Sequence, residues 1–378
     1  MKKTFVTIIF LIAASITKVI GVPDFYLLTV GESREPYAMY GHSAIRIVDT
    51  SLNMDFIVDW GVFDFGQPNF YINFARGKML YTTNTQLYER FVMLNDLHDK
   101  GVVSREILLN DGQKENLWML ISYNLMPENR DYYYKFIQDN CATRPRDLLE
   151  AAVGESLCYP NVESALTFRD ILHQYQQANL WYNLLIDIIL GSPIDKIADF
   201  RQQMFIPEYL EQGLSQADVI DLVPHPLLGE PTVVVEKTPL KHTPIMLAPQ
   251  IFFLALFFVY LILDYLKKGE RFIKVLDILF FSILIFFGLI IIFLWGFTDH
   301  QETYNNFNIL WLNPLLIFPL IALTSKKGNR IWLIITAGYM ALFALLSVTG
   351  LFPQSFPYTM YIIILIILER CYFGWSKK

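Results

Sequence analysis

Hydrophobic and polar positions divide this chain into two unlike parts. Through residues 22–245 apolar and polar residues are mixed, whereas from about Pro249 long apolar runs alternate with short polar or charged connections. A helix needs roughly 20 apolar residues to cross a bilayer. Five stretches approach that length, at 247–266, 275–297, 308–324, 331–349 and 356–374. At the other end, Met1-Lys2-Lys3 precedes an apolar run from Phe5 to Ile16, the pattern of a secretory signal or an uncleaved N-terminal anchor. The expected organisation is a signal or anchor over 1–21, an exported domain over 22–245 and a helical membrane domain over 246–378 with about five transmembrane helices.

Inside the exported part the periodicity changes along the chain. Phe25–Val30, Ser43–Val48 and Asp55–Gly61 have strand-like patterning, and the polar loop Asp49-Thr50-Ser51-Leu52-Asn53 makes the last two a β-hairpin. If that hairpin turns near Ser51-Leu52, position 42 faces position 61, and Asp59 falls on the same sheet face as His42. Further strands are expected around Met79–Thr83 and over 102–109, and Tyr132–Phe136 reads as a strand or an extended entry to the cysteine turn. Helices are expected from an Asp111 cap to about Leu125, after Cys141, over Ser164–Tyr182 and over Leu184–Ile189. The prolines at 224, 226, 231 and 239 mark an extended passage toward the membrane part.

Charge orients this arrangement. Lysine and arginine cluster between the first and second spans (Lys267, Lys268, Arg271, Lys274), between the third and fourth (Lys326, Lys327, Arg330), and at the end (Arg370, Lys377, Lys378). The stretches 298–308 and 350–357 have none, so the positive-inside rule puts residues 22–245 outside the cytoplasm and the C-terminus within it. A net charge of −6 with no basic face argues against a nucleic-acid partner. The three cysteines fit neither a disulfide framework nor a zinc spacing, although a Cys141–Cys158 disulfide is one open reading. No metal or cofactor site is expected.

Chemistry is concentrated at Gln138-Asp139-Asn140-Cys141-Ala142-Thr143-Arg144-Pro145-Arg146-Asp147. A polar turn there opens a helix, and amide hydrogens at a helix start favour thiolate over thiol, so Cys141 is the candidate nucleophile. A small buried cysteine near a helix start is the competing reading. Among the exported histidines, His42 is the preferred base: Gly41 leaves room beside it and it starts a short apolar strand. Asp59 is the candidate to orient the imidazole, against a reading as a hairpin surface carboxylate. The Cys141 backbone N–H could hold an oxyanion. Arg46, Arg144 and Arg146 could take a lipid phosphate, Arg146 alternatively pairing with Asp147, while Tyr40 and Trp60 line a groove or the core. In the outer connection, His300, Asn308, Trp311 and Asn313 could contact a headgroup or dock the exported domain, with Trp311 also readable as an interfacial anchor.

The order of a histidine on a strand followed by a cysteine at a helix start resembles the circularly permuted papain-like arrangement of the NlpC-type superfamily, including the lecithin:retinol acyltransferase group. This implies an α+β fold for the exported domain. Gly41-His42-Ser43-Ala44-Ile45-Arg46, Asp59-Trp60-Gly61-Val62-Phe63-Asp64-Phe65, Ala75-Arg76-Gly77-Lys78 and Asp139-Asn140-Cys141-Ala142-Thr143-Arg144 more closely resemble the periplasmic domain of the Lnb-type lipoprotein N-acyltransferases. So do Thr298-Asp299-His300 and Asn308-Ile309-Leu310-Trp311-Leu312-Asn313-Pro314 between the second and third spans. That resemblance implies a bacterial inner-membrane enzyme that moves a fatty acyl chain from a phospholipid, through a Cys141 thioester, to the α-amino group of a diacylated lipoprotein. A cell-wall cysteine peptidase or amidase, and a nonenzymatic membrane sensor or assembly protein, are the competing functions.

Overall fold

The computed structural model describes residues 22–325 and 328–376. The signal or anchor expected over 1–21 lies outside the described residues, as do Lys326, Lys327, Lys377 and Lys378.

The exported part is an α+β domain built on a seven-stranded antiparallel sheet. Its chain order begins with β1 (Asp24–Val30), β2 (His42–Asp49), β3 (Met54–Val62), α1 (Phe70–Ala75), β4 (Leu80–Leu87), α2 (Tyr88–Leu97) and β5 (Val102–Glu106). Next come α3 (Asp111–Leu125), β6 (Asp131–Tyr133), α4 (Thr143–Val153), β7 (Leu157–Cys158), α5 (Phe168–Gln176) and α6 (Leu180–Ile189). The last exported elements are α7 (Phe200–Gln203), α8 (Pro207–Ser215), β8 (Asp218–Val219), β9 (His225–Pro226) and β10 (Thr232–Val235). The large sheet runs β10-β5-β1-β2-β3-β4-β6, and β7, β8 and β9 make a small second sheet.

Alternation fixes which face of the large sheet each residue joins. Ile45, Ile47, Val58 and Trp60 enter one core with Leu117, Ile121 and Leu149 from α3 and α4. Ala44 and Ile57 point the other way, to a smaller cluster with Phe91. The β2–β3 turn is held by Asp49, whose Oδ1 accepts from the amides of Ser51 and Leu52 at 2.8 and 3.0 Å. Asn53 takes the left-handed conformation there, at φ 52°. That turn sets Asp49 opposite Met54 and Ala44 opposite Asp59, the register the hairpin pattern predicts.

Two helix expectations need correction. The α3 cap is Asn110 rather than Asp111: Asn110 and Gln113 form a reciprocal capping box. The helix expected over Ser164–Tyr182 is two helices, α5 and α6. Asn179 starts the second by accepting from the Tyr182 amide, and Thr167 with Asp170 caps the first.

The membrane part comprises α9 (Pro249–Tyr265), α10 (Glu270–Phe297), α11 (Ile317–Thr324), α12 (Ile331–Ser347) and α13 (Tyr358–Ser376). Among the described residues, three segments are long and apolar enough to cross a membrane: Glu270–Phe297, Gln301–Thr324 and Tyr358–Ser376. Pro249–Tyr265 and Ile331–Ser347 are apolar but shorter. The third expected span is regular only in its second half; short 3-10 turns at Phe307–Leu310 and Pro314–Leu316 precede α11. A buried Arg370 on α13 joins Asp277 on α10, at 2.7 and 3.1 Å, and Asp264 on α9, tying three helices together.

The two parts share packing. Leu184 and Ile188 of α6 belong to the same buried cluster as Phe281, Leu284 and Trp311. The side-chain amide of Asn306 donates to the Ile188 and Ile189 carbonyls at 2.8 and 2.9 Å, and that of Asn308 to Asp187 and Ile188 at 2.8 and 3.2 Å. The connection after α10 thus satisfies carbonyls that the C-terminal end of α6 leaves without helical partners.

Candidate active site

Cys141 sits two residues before α4, where Asn140 builds the helix start. Asn140 Oδ1 accepts from the Ala142 and Thr143 amides at 2.7 and 2.9 Å, and its Nδ2 donates to the Phe136 and Phe205 carbonyls at 2.8 and 2.9 Å. Thr143 Oγ1 returns a contact by accepting from the Asn140 amide at 2.8 Å. All three residues are buried, so this turn has little freedom to move the thiol. Both Cys141 and Cys158 are free thiols, and Cys158 is exposed; the disulfide reading is overturned.

His42 opens β2 and interacts directly with the Cys141 thiol. Its side chain is 29% exposed, enough for access from solvent at an otherwise closed site. On the neighbouring strand, Asp59 Oδ2 lies 3.6 Å from His42 Nε2. That is an ion-pair distance, longer than a good hydrogen bond. Gln86 Nε2 lies 3.5 Å from the same oxygen, while buried Oδ1 has no hydrogen-bond partner among the described residues.

Electrostatics couple the pair. Burial pushes the Cys141 thiol up, but the charge of His42, with hydrogen bonds from His42, the Ser43 amide and Tyr134, overrides burial and leaves it below its ordinary range. Burial conversely pushes His42 down. The Cys141 charge, the close approach of Asp59 and Cys141 to the ring, and the Asp59 charge together raise it to about 10. Each group thus favours the charged form of the other: the thiol gives up its proton more readily, and the imidazole keeps its own more firmly, than the free side chains do.

Tyr134 escaped the sequence reading. It follows β6 and stacks on Tyr81, with ring centroids 4.4 Å apart. Its hydroxyl bonds to Cys141, and burial pushes the phenol well above its usual value, so it remains a donor. Gly61 makes room for it: φ is 85°, and a Cβ there would lie 3.1 Å from the Tyr134 ring and 3.7 Å from Cys141 Cβ. The signal in the sequence is that glycine, one residue before the end of β3.

The other expected contacts are placed differently. Arg46 is bound bidentately by Asp55 at 2.8 and 2.7 Å and lies 3.6 Å from the Tyr88 ring centroid. Four strand residues also separate it from His42 by about 13 Å. Arg144 is nearer the site but is held by Asp139 at 2.6 and 3.0 Å over the Tyr132 ring. Arg146 is buried and donates to Asp147 and the Arg201 carbonyl. Trp60 is wholly buried and bonds Asn124, and Tyr40 accepts from Gln176, so both are framework rather than groove. Trp311 is fully buried and its ring N–H donates to Asn308 at 2.9 Å, so its ring packs inside the bundle instead of on an outer surface. Asn313 bonds locally, its side-chain amide donating to the Leu310 carbonyl at 3.0 Å. His300 docks: its Nε2 meets the Phe74 carbonyl at 2.9 Å, beside an Asp299 amide bond to the Arg76 carbonyl.

Comparison with protein families matches residues 23–174 to the Lnb N-terminal periplasmic domain and residues 241–377 to the Lnb transmembrane domain. Comparisons with curated proteins and with solved structures gave no match. With both domains present in order, and together covering most of its length, the chain belongs to the Lnb family, an inner-membrane architecture in which a periplasmic domain precedes a membrane-embedded one.

Proposed function

We propose that the protein is a lipoprotein N-acyltransferase with a cysteine nucleophile. The observation that carries this reading is the Cys141–His42 pair in a domain docked directly on a membrane-embedded bundle. Family membership supports lipoprotein processing as the setting. The strand histidine preceding the helix-start cysteine supports a permuted papain-like relationship for residues 22–245. Clustered lysines and arginines support a cytoplasmic C-terminus.

In this mechanism the Cys141 thiolate attacks the ester carbonyl of a phospholipid, and the Cys141 backbone N–H is the candidate oxyanion donor. The C–O bond breaks, the lysophospholipid oxygen takes a proton from the His42 imidazolium, and the acyl chain remains as a thioester. The α-amino group of a diacylated lipoprotein then attacks the thioester. Neutral His42 accepts the amine proton, the C–S bond breaks, and the thiolate–imidazolium pair returns. Asp59 keeps the imidazole turned and supports its charge, and Tyr134 supports the thiolate. Arg144 acts through Asp139 on the cysteine turn.

The test uses detergent-purified wild-type protein and Cys141→Ala, incubated with phospholipid and a diacylated lipopeptide and read by intact mass. A hydroxylamine-sensitive acyl adduct on wild type, an N-acylated peptide, and neither product with the variant are expected. Equal peptide acylation by Cys141→Ala overturns the nucleophile; peptide cleavage without lipid points to a peptidase.

A further inference from the structure

The loop from Phe63 through α1 carries a surface that the exported domain does not cover. Tyr71, Ile72 and Phe74 on α1 are 79%, 59% and 54% exposed, and Phe65 just before them is 63% exposed. Four large apolar side chains on so short a stretch form a patch of the kind that marks an interaction surface. Acidic residues are absent from α1, and Arg76 and Lys78 follow it.

What faces this patch is set by its neighbours. The connection that leaves α10 at Phe297 grips the C-terminal end of α1: Asp299 N–H donates to the Arg76 carbonyl at 2.9 Å, His300 Nε2 meets the Phe74 carbonyl at 2.9 Å, and Lys78 Nζ lies 3.5 Å from Asp299 Oδ2. A Cβ at Gly77 would come within 3.1 Å of the His300 amide, so the two backbones meet closely. The last turns of α10 carry Phe293, Trp295 and Phe297, exposed by 40%, 41% and 71% along a helix long enough to span a bilayer. The exposed apolar side chains of α1 therefore lie close in the fold to the exposed end of a helix long enough to span a bilayer.

An aromatic row leads inward from the same patch. Phe74 stacks on Phe70 with centroids 6.4 Å apart, Phe70 meets Phe63 at 6.0 Å, Phe63 meets Tyr81 at 5.3 Å, and Tyr81 stacks on Tyr134, which touches Cys141. We propose that α1 and Phe65 are embedded among the phospholipid acyl chains of the periplasmic leaflet, and that the row from Phe74 to Tyr134 is the wall along which an acyl chain reaches Cys141. Short helices with an apolar face and flanking cations lie in this way at the headgroup boundary, with aromatic rings at the same level. The embedding stands by itself, whereas the acyl path rests on the acyltransferase reading.

Depth measurement tests the first part. A spin label is placed at Ile72→Cys, or at Leu52→Cys on the β2–β3 turn at the far end of the strands, in full-length Cys141→Ser/Cys158→Ser protein. Buried Cys371 is retained. The label is read in phosphatidylethanolamine/phosphatidylglycerol nanodiscs by its collision with oxygen and with a water-soluble nickel chelate. Position 72 is expected to favour oxygen and exclude nickel at least 5-fold relative to position 52. Equal nickel access at the two positions overturns the embedding. For the second part, Phe74→Ser, which removes the outermost ring of the row, is expected in otherwise wild-type protein to raise KM for vesicle phospholipid about 10-fold with kcat nearly constant, the signature of lost donor binding. An unchanged KM with an embedded label overturns the acyl path alone. If wild-type protein transfers no acyl chain, the acyltransferase reading and the path fall together while the depth result still decides the embedding.

Discussion

His42 and Asp59 meet across the β2–β3 hairpin, with Nε2 and Oδ2 3.6 Å apart, although Asp59 is paired in register with Ala44. The diagonal follows from two-residue periodicity: positions 42, 44 and 59 share one face, and the side chains reach along it. In the proposed mechanism Asp59 therefore acts on the thiol through the imidazole rather than by touching it.

Asp59→Asn retains the shape of the side chain and removes its charge. Since His42 is raised to about 10, the imidazolium form is complete near neutrality and is lost as pH rises through that value. Without the carboxylate that upper limit falls. The expected result is a pH profile of kcat/KM for acyl transfer whose alkaline limb moves down by about one unit, equivalent to roughly 1.4 kcal/mol. An alkaline limb at the wild-type position would remove Asp59 from the proton path.

Tyr134→Phe keeps the ring against Gly61 and Tyr81 while deleting the hydroxyl that bonds the sulfur. Hydrogen bonds to charged groups contribute about 1.5–3 kcal/mol. The thiolate is therefore expected to form at higher pH, by about one unit, in a titration followed by ultraviolet absorbance or by iodoacetamide inactivation. A titration identical to wild type would leave Tyr134 as packing only.

The two ends of this site differ in how far sequence pattern could reach them. Asp49 and Asn53 encode a short turn, the turn sets the hairpin register, and the register carries His42 to Asp59, so that part is local chemistry. The cap by Asn140 is local too. Tyr134 meets Cys141 because β6 pairs with β4 and a bulge between Asp59 and Val62 ends at a left-handed glycine, a nonlocal arrangement that periodicity does not encode. Arg46 shows the opposite failure. It shares the strand and face of His42, and the hairpin diagonal that carries His42 to Asp59 carries it to Asp55, while Tyr88 closes over it only once α2 is folded against the sheet. Likewise, Trp311 reads as an interfacial residue because its neighbours are apolar. It is buried because the preceding connection folds into 3-10 turns beneath α6 instead of continuing as one span.

Gly61→Ala tests the close packing at the sulfur. The added methyl would press on the Tyr134 ring in a backbone conformation, φ 85°, that suits glycine. A loss of about 1–3 kcal/mol in domain stability is expected. The Cys141 alkylation rate should also fall, since the ring must shift from the thiol. Thermal unfolding and alkylation measured on one preparation separate a general loss of fold from a local change at the site.

Asn306→Ala addresses the joint between the domains. Its amide holds the Ile188 and Ile189 carbonyls at the end of α6, its Oδ1 accepts from the Asn308 amide at 3.0 Å, and the residue is fully buried. Truncation leaves these groups short of partners at about 1–3 kcal/mol. Leu184 and Ile188 remain to bury α6 in the membrane cluster, so the joint should loosen rather than separate. The expected outcome is faster amide hydrogen exchange over residues 180–191 and 300–310, with exchange in β1 to β3 unchanged. If the joint positions the site over the bilayer, acyl transfer from vesicles should fall several-fold while Cys141 alkylation stays near the wild-type rate. A faster exchange with full vesicle activity would make the joint a structural brace and leave positioning to the contact between His300 and α1.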